Sequence, residues 1–467
     1  MAGMSFSGLA SGIDSAALIE AASEASRTTR VKPNEKRITE LQETNAATEE
    51  LSNKMDLLRA TLKGFTTLSG GGVSKTGVSS KESVVTAEAS NAAINGGYSV
   101  TVNSLAKNHT FSFDATFASI SGAVQNTLSG AEPTADRTIS FTVGTGAEQE
   151  SIGIEITDAA YSASDFVTAF NNASSKAQAS LVNIGTTASP SYKIVLTSVY
   201  EGTEKGTVTQ TAIGAALTNL VAHSEDAADD AEIVITGIGT ITRTTNSITD
   251  VIPGVTLNIS SLGSAIVRIA EDVDTTVSRV QDFIDSYNEL VQFVNENNQV
   301  TRDDSKSEIT NIFAPLASSR NDDSALTALR SALSSSTASG GSAARIFADL
   351  GITTDRNGTL KFDATKLKTA IASEPTSVSD ILSSFADITA TTSGTIDIYT
   401  RFQGLLELSV NNNKETISDL STRIQESEKQ IERQADSMRS RYARLEALMS
   451  RLQQQQSSLT SALSGLG

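Results

Sequence analysis

Two short segments contain the residue types and spacings from which calcium sites are built. The first holds five carboxylates within eight residues, namely Glu225, Asp226, Asp229, Asp230 and Glu232. Because it lacks the tight glycine turn and the intervening polar ligands of a calcium loop, we interpret it as a solvated acidic loop. The second segment, from Asp355 through Asn357 to Gly358, resembles the start of an EF-hand. Its glycine falls two positions early and no glutamate follows at the required place, so a β-hairpin turn is the better interpretation.

The composition of the 467-residue chain limits metal and hydrolase chemistry further. The chain has two histidines, His109 and His223, and neither cysteine nor tryptophan. Two histidines cannot form a three-histidine metal site, and the lack of cysteine excludes thiol nucleophiles, cysteine-ligated zinc and a disulfide framework. The serine and aspartate residues that a hydrolase triad would need are abundant in most proteins and carry no signal. We therefore expect a protein that is not an enzyme and that has no catalytic residue, no cofactor and no metal.

The charge and hydropathy of the chain exclude other classes of protein. The formal net charge is -18, which argues against a nucleic-acid-binding protein because such proteins present a basic patch. There is no run of 18 or more apolar residues, so we expect no membrane-spanning helix. The first residues lack the basic and apolar regions of a secretory signal peptide. The protein is therefore expected either to stay in the cytoplasm or to leave by a route that needs no such signal.

The clearest pattern in the chain is a seven-residue apolar repeat near the C-terminus. One heptad position is apolar throughout, and a second is apolar in part; the residues are Ile417, Ile424, Ile431, Met438, Leu445, Leu452, Leu459 and Leu466, with Leu420 and Leu448. A strict seven-residue repeat favours a left-handed coiled coil. A helix of about 50 residues, capped by Asn411 to Asn413, would be about 75 Å long. Such a helix cannot bury its own apolar stripe, so the pattern predicts a partner.

The N-terminal part of the chain offers one such partner. Asp14 is predicted to cap a helix that begins at Ser15, and Pro33 breaks or restarts it. A second helix carries its own apolar stripe, which includes Leu41, Leu51, Met55, Leu58 and Leu62. We predict that this stripe and the C-terminal repeat form one coiled-coil stalk and an interface with other copies or partners. An intramolecular hairpin without a partner role is the alternative.

The remaining segments alternate between strand and helix patterns. Residues 73–270 are rich in short runs of period two, with one helix predicted near 164–179, and their nine basic and 18 acidic residues give a net charge of -9. An amphipathic helix follows Ala270, and residues 350–362 are predicted to form a hairpin.

These patterns predict an α+β multidomain fold. The terminal helices form a coiled-coil stalk or leg, next to a helical domain with a hairpin and two β-rich outer domains. The predicted ranges are 1–40 with 411–467 for the leg and 41–72 with 271–410 for the helix-rich domain.

Five motifs, in this order along the chain, resemble those of bacterial flagellar filament cap proteins, the second of the hook-associated proteins. They are Phe6 to Asp14, Gly97 to Ala106, Ile252 to Ile259, Tyr287 to Leu290 and Leu350 to Thr353. Residues 131–227 carry no part of this resemblance. It thereby implies an inner β domain, 73–130 with 228–270, and an outer variable β-rich domain, 131–227. It implies a structural cap, exported through the flagellar type III apparatus, that sits at the distal filament tip, retains exported flagellin and promotes its polymerisation.

The partners that the resemblance implies are further copies in a ring, taken as a pentamer, together with flagellin, the hook–filament junction proteins and an export chaperone. Host glycans are a further class of partner for the outer β domains. Two alternative functions stay open. The first is another flagellar axial protein, either a junction protein or flagellin itself. The second is a surface adhesin that uses the outer β domains.

Overall fold

The computed structural model describes residues 14–303, 310–317, 319–338, 340 and 343–464. The motif residues Phe6 to Ile13 and the last heptad residue, Leu466, lie outside the described residues. The chain divides into two compact units, a β unit that spans Leu68–Thr276 and a helical unit built from the chain on either side of it. Long helices at both ends of the chain and several β-sheets between them agree with the α+β multidomain prediction.

The helices are named in chain order. They are α1 Ser15–Arg30, α2 Lys32–Lys63, α3 Ala163–Ala173, α4 Thr203–Gly206, α5 Val273–Asn297, α6 Asn321–Ser335, α7 Ala364–Ser373, α8 Pro375–Ala390, α9 Thr395–Thr400 and α10 Leu405–Ser464. Within the described residues, every helix is either too short or too polar to cross a membrane.

The strands are numbered in the same way. They are β1 Lys75–Ser79, β2 Val85–Ala89, β3 Gly96–Ser104, β4 Asn108–Phe113, β5 Thr138–Val143, β6 Glu150–Glu155, β7 Ala177–Asn183, β8 Tyr192–Glu201, β9 Val208–Ile213, β10 His223–Asp226, β11 Ala231–Ile235, β12 Gly239–Arg243, β13 Ser247–Ile252, β14 Val255–Ile259, β15 Gly263–Glu271, β16 Val300–Asp303, β17 Thr310–Phe313, β18 Ile352–Thr354 and β19 Leu360–Phe362.

Local signals set the start of the helical unit as the sequence predicts. The side chain of Asp14 accepts a hydrogen bond from the backbone N–H of Ala17 at 3.0 Å, which caps α1. Helix α1 ends at Arg30, and α2 begins at Lys32 with Pro33 in its first turn, where the missing N–H of proline costs nothing. Helix α2 then packs against α8, α9 and α10.

The predicted hairpin is confirmed and is attached to helix α5. Strands β18 and β19 pair with Gly358 in the turn, at a φ of 88° that suits glycine. The amide of Asn288 accepts from the backbone N–H of Leu360 at 2.6 Å and donates to its carbonyl at 2.9 Å. The side chain of Asn288 thereby pairs with the backbone of β19 as a neighbouring strand would.

The predicted cap of the C-terminal helix is wrong. Helix α10 begins at Leu405 and runs without a break through Asn411 to Asn413, for 60 residues in all. The amide of Asn413 donates to Oδ1 of Asn45 on α2 at 2.8 Å, and Asn45 is buried. The asparagines therefore belong to the helix because one of them has a buried polar partner. At about 1.5 Å per residue the helix is about 90 Å long.

The inner module of the β unit is one antiparallel sheet in the order β12-β11-β3-β15-β1-β2-β14-β13. Alternate side chains are buried in β2, β3, β11, β14 and β15, as the period-two pattern predicts; in β3 these are Val100 and Val102. They form one aliphatic core that has no phenylalanine among its fully buried members.

The outer module has two sheets, β10-β4-β8-β7 and β6-β5-β9, with α3 packed against β6 and β7. Five phenylalanine rings lie in its core with centroids 5.2 to 6.4 Å apart, mostly edge to face; they are Phe111, Phe113, Phe141, Phe166 and Phe170. Such contacts add stability beyond the area they bury.

Three expectations for the β unit need correction. Helix α3 ends at Ala173, not near 179, because residues from Ala177 onward pair with β8. Strand β4 pairs with β10 and β8, and the chain up to Leu128 contributes to the same core, so residues 108–128 belong to the outer module although the inner range 73–130 contained them. Glu225 and Asp226 lie in the exposed strand β10 and Glu232 lies in β11, so these three are not in a loop. The other domain ranges stay predictions.

Candidate functional site

The candidate site is the long helix α10, whose apolar stripe is covered over part of its length. Along its first third it packs against α2, and Leu406 and Val410 are buried there. Further along, Ile417, Leu420 and Ile424 are half-buried. This part of the stripe contributes to the packing of the helical unit.

Helix α1 covers the middle of the stripe. Ile431 of α10 is 2% exposed, and Ala435 and the facing Ile19 of α1 are also buried. The guanidinium of Arg27 donates three hydrogen bonds to the carboxylate of Glu428, and its Nε lies 3.0 Å from Oε1. This carboxylate raises the pKa of Arg27 above its usual value. An open groove of about 990 Å³ runs along the same pair of helices.

Beyond the start of α1 the stripe is exposed among the described residues. Met438 is half-buried, and the next leucines have exposed fractions typical of a helix without a neighbour: 43% for Leu445, 56% for Leu448, 51% for Leu452, 66% for Leu459 and 66% for Leu463. We call these five leucines the distal stripe. A run of regularly spaced exposed leucines is unusual on a monomeric protein and indicates an interaction surface.

The charges around the distal stripe are basic at one end only. Residues 439–451 carry four arginines and one glutamate, whereas residues 452–464 carry no charge. The distal stripe therefore presents apolar side chains along its whole length and positive charge along its first half only.

The stripe residues predicted on α2 have a different environment. Leu41, Leu51, Met55, Leu58 and Leu62 are all buried in the helical unit. They pack against other helices of the same chain, so their predicted role in an interface with other copies stays a prediction.

Sequence reasoning missed the residues four positions after each main heptad residue. Glu428, Ala435 and Tyr442 lie along the groove beside α1, although none is an apolar member of the repeat. These three residues are themselves seven apart, at the heptad position beside the main one. On a straight helix with 3.6 residues per turn a seven-residue stripe drifts around the helix, so the covered face includes this neighbouring position. The drift was the available signal.

The two histidines considered for metal or hydrolase chemistry lie on the neighbouring strands β4 and β10. Nε2 of His109 lies 3.1 Å from Glu225, while His223 is exposed and its ring stacks on Phe111. In the part of the chain that the structure describes, no three histidine, aspartate or glutamate side chains come close enough to hold a metal ion.

Comparison with known proteins relates this architecture to one family. The model of the flagellar hook-associated protein 2 C-terminus matches residues 228–463, half of the chain, and that of the N-terminus matches residues 11–109. The B-type flagellar hook-associated protein 2 of Pseudomonas aeruginosa is 28% identical over 230 residues, which are 47% of each protein. The A-type protein of the same species is 25% identical over 244 residues, 51% of this chain and 50% of that protein. The chain thus spans about half the length of the curated relatives it matches.

A solved structure supports the fold. The D1-D2-D3 domains of the flagellar cap protein FliD from Escherichia coli align over 79% of this chain and 99% of that one, with a TM-score of 0.59 and 20% sequence identity. The two family matches leave out residues 110–227, which form nearly all of the outer module. The resemblance inferred from the five motifs is confirmed, and the chain belongs to the flagellar hook-associated protein 2 family.

Proposed function

We propose that this protein is a structural cap at the distal end of the bacterial flagellar filament. It retains exported flagellin beneath it and promotes flagellin polymerisation, so that the filament elongates. The distal stripe on a helix of 60 residues is the observation that carries the proposal, because a cap has to bind other subunits along extended legs. Family membership supports the same function and does not favour the alternatives of a junction protein or flagellin.

The distal stripe supplies the driving force for assembly. Burial of apolar surface is worth about 25 cal/mol per Å², less the cost of ordering the chain. The leucines gain this energy only beside neighbouring copies or the filament end, so binding is linked to assembly. Polar residues at the second heptad position, Ser427, Gln434, Arg441 and Gln455, weaken the seam. A weak seam suits legs that release and rebind as each subunit is inserted.

The partners follow from this role. We expect a homo-oligomeric ring, taken as a pentamer, that contacts flagellin and the hook-associated junction proteins, and an export chaperone before secretion. The cap acts outside the cell, at the filament tip, and it needs no catalytic activity. Binding of host glycans by the outer module is a separate expectation, which binding of the purified protein to a glycan array would test.

Truncation tests the proposed function. A strain that lacks its own copy of this protein would receive the full chain or a chain that ends after Tyr442, which keeps the covered part of α10 and removes the distal stripe. We expect the full chain to restore filaments, and the truncated chain to leave short or absent filaments with monomeric flagellin in the medium. Circular dichroism and secretion of the truncated chain serve as controls. Normal filament growth by a secreted, folded, truncated chain would show the proposal to be wrong.

A further inference from the structure

The chain passes twice between the inner and outer modules of the β unit, and both passages lie at one place. The linkers are residues 105–107 and 227–230. They are flanked by the inner loop 244–246 and by residues 201–203, where β8 ends and α4 begins, which we call the outer loop. We call these four segments the joint. We propose that the joint locks the outer module in one orientation on the inner module, and that Asn246 is its central positioning residue.

All four polar groups of Asn246 form hydrogen bonds, two with Ala106 and one each with Glu201 and Ile259. Its side chain donates to the carbonyl of Ala106 at 2.7 Å and accepts from the N–H of the same residue at 2.9 Å. Its backbone N–H donates to Glu201 of the outer module at 3.1 Å. Its carbonyl accepts from Ile259 of the inner sheet at 2.9 Å. One residue therefore connects a linker, the outer module and the inner sheet.

The two linkers also bind each other. The backbone N–H of Lys107 donates to the carbonyl of Asp229 at 3.0 Å, and the reverse bond is 3.4 Å long. The ammonium of Lys107 lies 3.0 Å from the carboxylate of Asp226. The hydroxyl of Ser104 donates to the carbonyl of Asp230 at 2.8 Å. The linkers thus form a short two-stranded ribbon instead of two free tethers.

A third set of contacts holds the outer loop. The carboxylate of Asp230 accepts from the N–H of Thr203 at 2.7 Å and from its hydroxyl at 2.9 Å. Gly202 has a φ of 77°, and a Cβ atom there would lie 2.5 Å from the carbonyl oxygen of Thr244. The outer loop therefore lies directly against the inner loop, and only glycine fits between them.

These contacts resist rotation because they act at separate points on both sides of the linkers. Two linkers alone would allow the outer module to rotate relative to the inner module. The contacts at Asn246, Asp230 and Gly202 prevent this rotation. A displacement of the inner sheet is then transmitted to the outer module. The joint forms within a single copy, so the orientation does not depend on assembly or on the proposed function.

Site-directed labelling of the full chain tests the joint, since the protein has no native cysteine. Nitroxide labels at Ser99→Cys on the inner sheet and Ser151→Cys on the outer sheet, both exposed, report the distance between the modules. We expect one narrow distance distribution, which Asn246→Ala broadens. The matched control is Asn171→Ala, which removes the same pair of bonds to the backbone of Ala179 within the outer module. It should leave the distribution unchanged.

Hydrogen exchange gives a second readout of the same variant. The amides of Gly202 and Lys107 donate to acceptors that Asn246→Ala does not remove. If the joint opens as a unit, both amides should exchange at least about tenfold faster. If Asn246→Ala fails to fold, Thr203→Val, at an exposed position, is the second variant. It should also broaden the distance distribution. A broad distribution in the unmodified labelled chain, or unchanged distances and exchange in the variants, would overturn the proposal.

Discussion

Replacing three leucines of the distal stripe with serine should strongly weaken assembly without unfolding the protein. The change is Leu448→Ser, Leu452→Ser and Leu459→Ser in one chain. These side chains are 56%, 51% and 66% exposed, so they contribute little to the fold of the single copy. Surface substitutions of this kind change the free energy of unfolding by about 0.5 kcal/mol or less.

The effect on association follows from the area that is still exposed. Full burial of a leucine side chain is worth about 1.5–3 kcal/mol. Because about half of each side chain remains to be buried, each substitution should cost about 1 kcal/mol, and the three together about 3 kcal/mol. This corresponds to association that is about 100-fold weaker.

Two measurements check this prediction. Sedimentation of the purified chain gives the concentration at which copies associate, and complementation of a strain without the protein gives filament length and the flagellin lost to the medium. A control chain with serine at Leu68, Ile238 and Leu262 removes exposed apolar side chains from the β unit, where exposed fractions are 61% or more. Equal loss of assembly in the control, or normal association of the stripe variant, would refute the reasoning.

Three further predictions concern stability. Asn413→Ala leaves the buried amide of Asn45 without its partner and should lower the free energy of unfolding by about 1–3 kcal/mol, as measured in urea, whereas leucine at both positions should recover most of the loss. Burial raises the pKa of the Asp322 carboxyl in the folded protein. The neutral side chain therefore stabilises the folded state below pH 3.8, and this contribution is lost as the pH rises and the carboxyl ionises. Asp322→Asn should therefore raise the melting temperature at pH 7, and the gain should disappear in acid; a gain that is independent of pH would contradict this account. Burial alone would raise the pKa of Glu150, but hydroxyl and backbone donors at 174–176 hold it below 4.5. Glu150→Gln should therefore destabilise the protein at pH 7, and this effect should disappear once the pH falls well below 4.5. Thermal melts of both chains from pH 3 to pH 7 would show this convergence, and parallel melting curves would count against it.

Features that depend on neighbouring residues in the chain were predictable from the sequence. The cap at Asp14, the helix break at Pro33 and the hairpin turn at Gly358 all follow from local backbone preferences, which need no distant partner. The distal stripe was also predictable, because regular spacing places Leu445 to Leu459 on one face of any helix. The family was recognisable for the same reason, since its motifs are short contiguous segments.

Other features depend on contacts between distant segments, and only the tertiary structure decides them. Three asparagines in succession look like a helix cap, but α10 continues through them because Asn413 meets Asn45 on α2, 368 positions away. Strand β4 belongs to the outer module because its hydrogen-bonding partners are β8 and β10. Likewise, Leu58 and Leu452 belong to similar apolar stripes, yet the first is buried by other helices and the second is exposed. A pattern of side chains specifies which face is apolar, while the length and position of the neighbouring helix determine how much of that face is left for a partner.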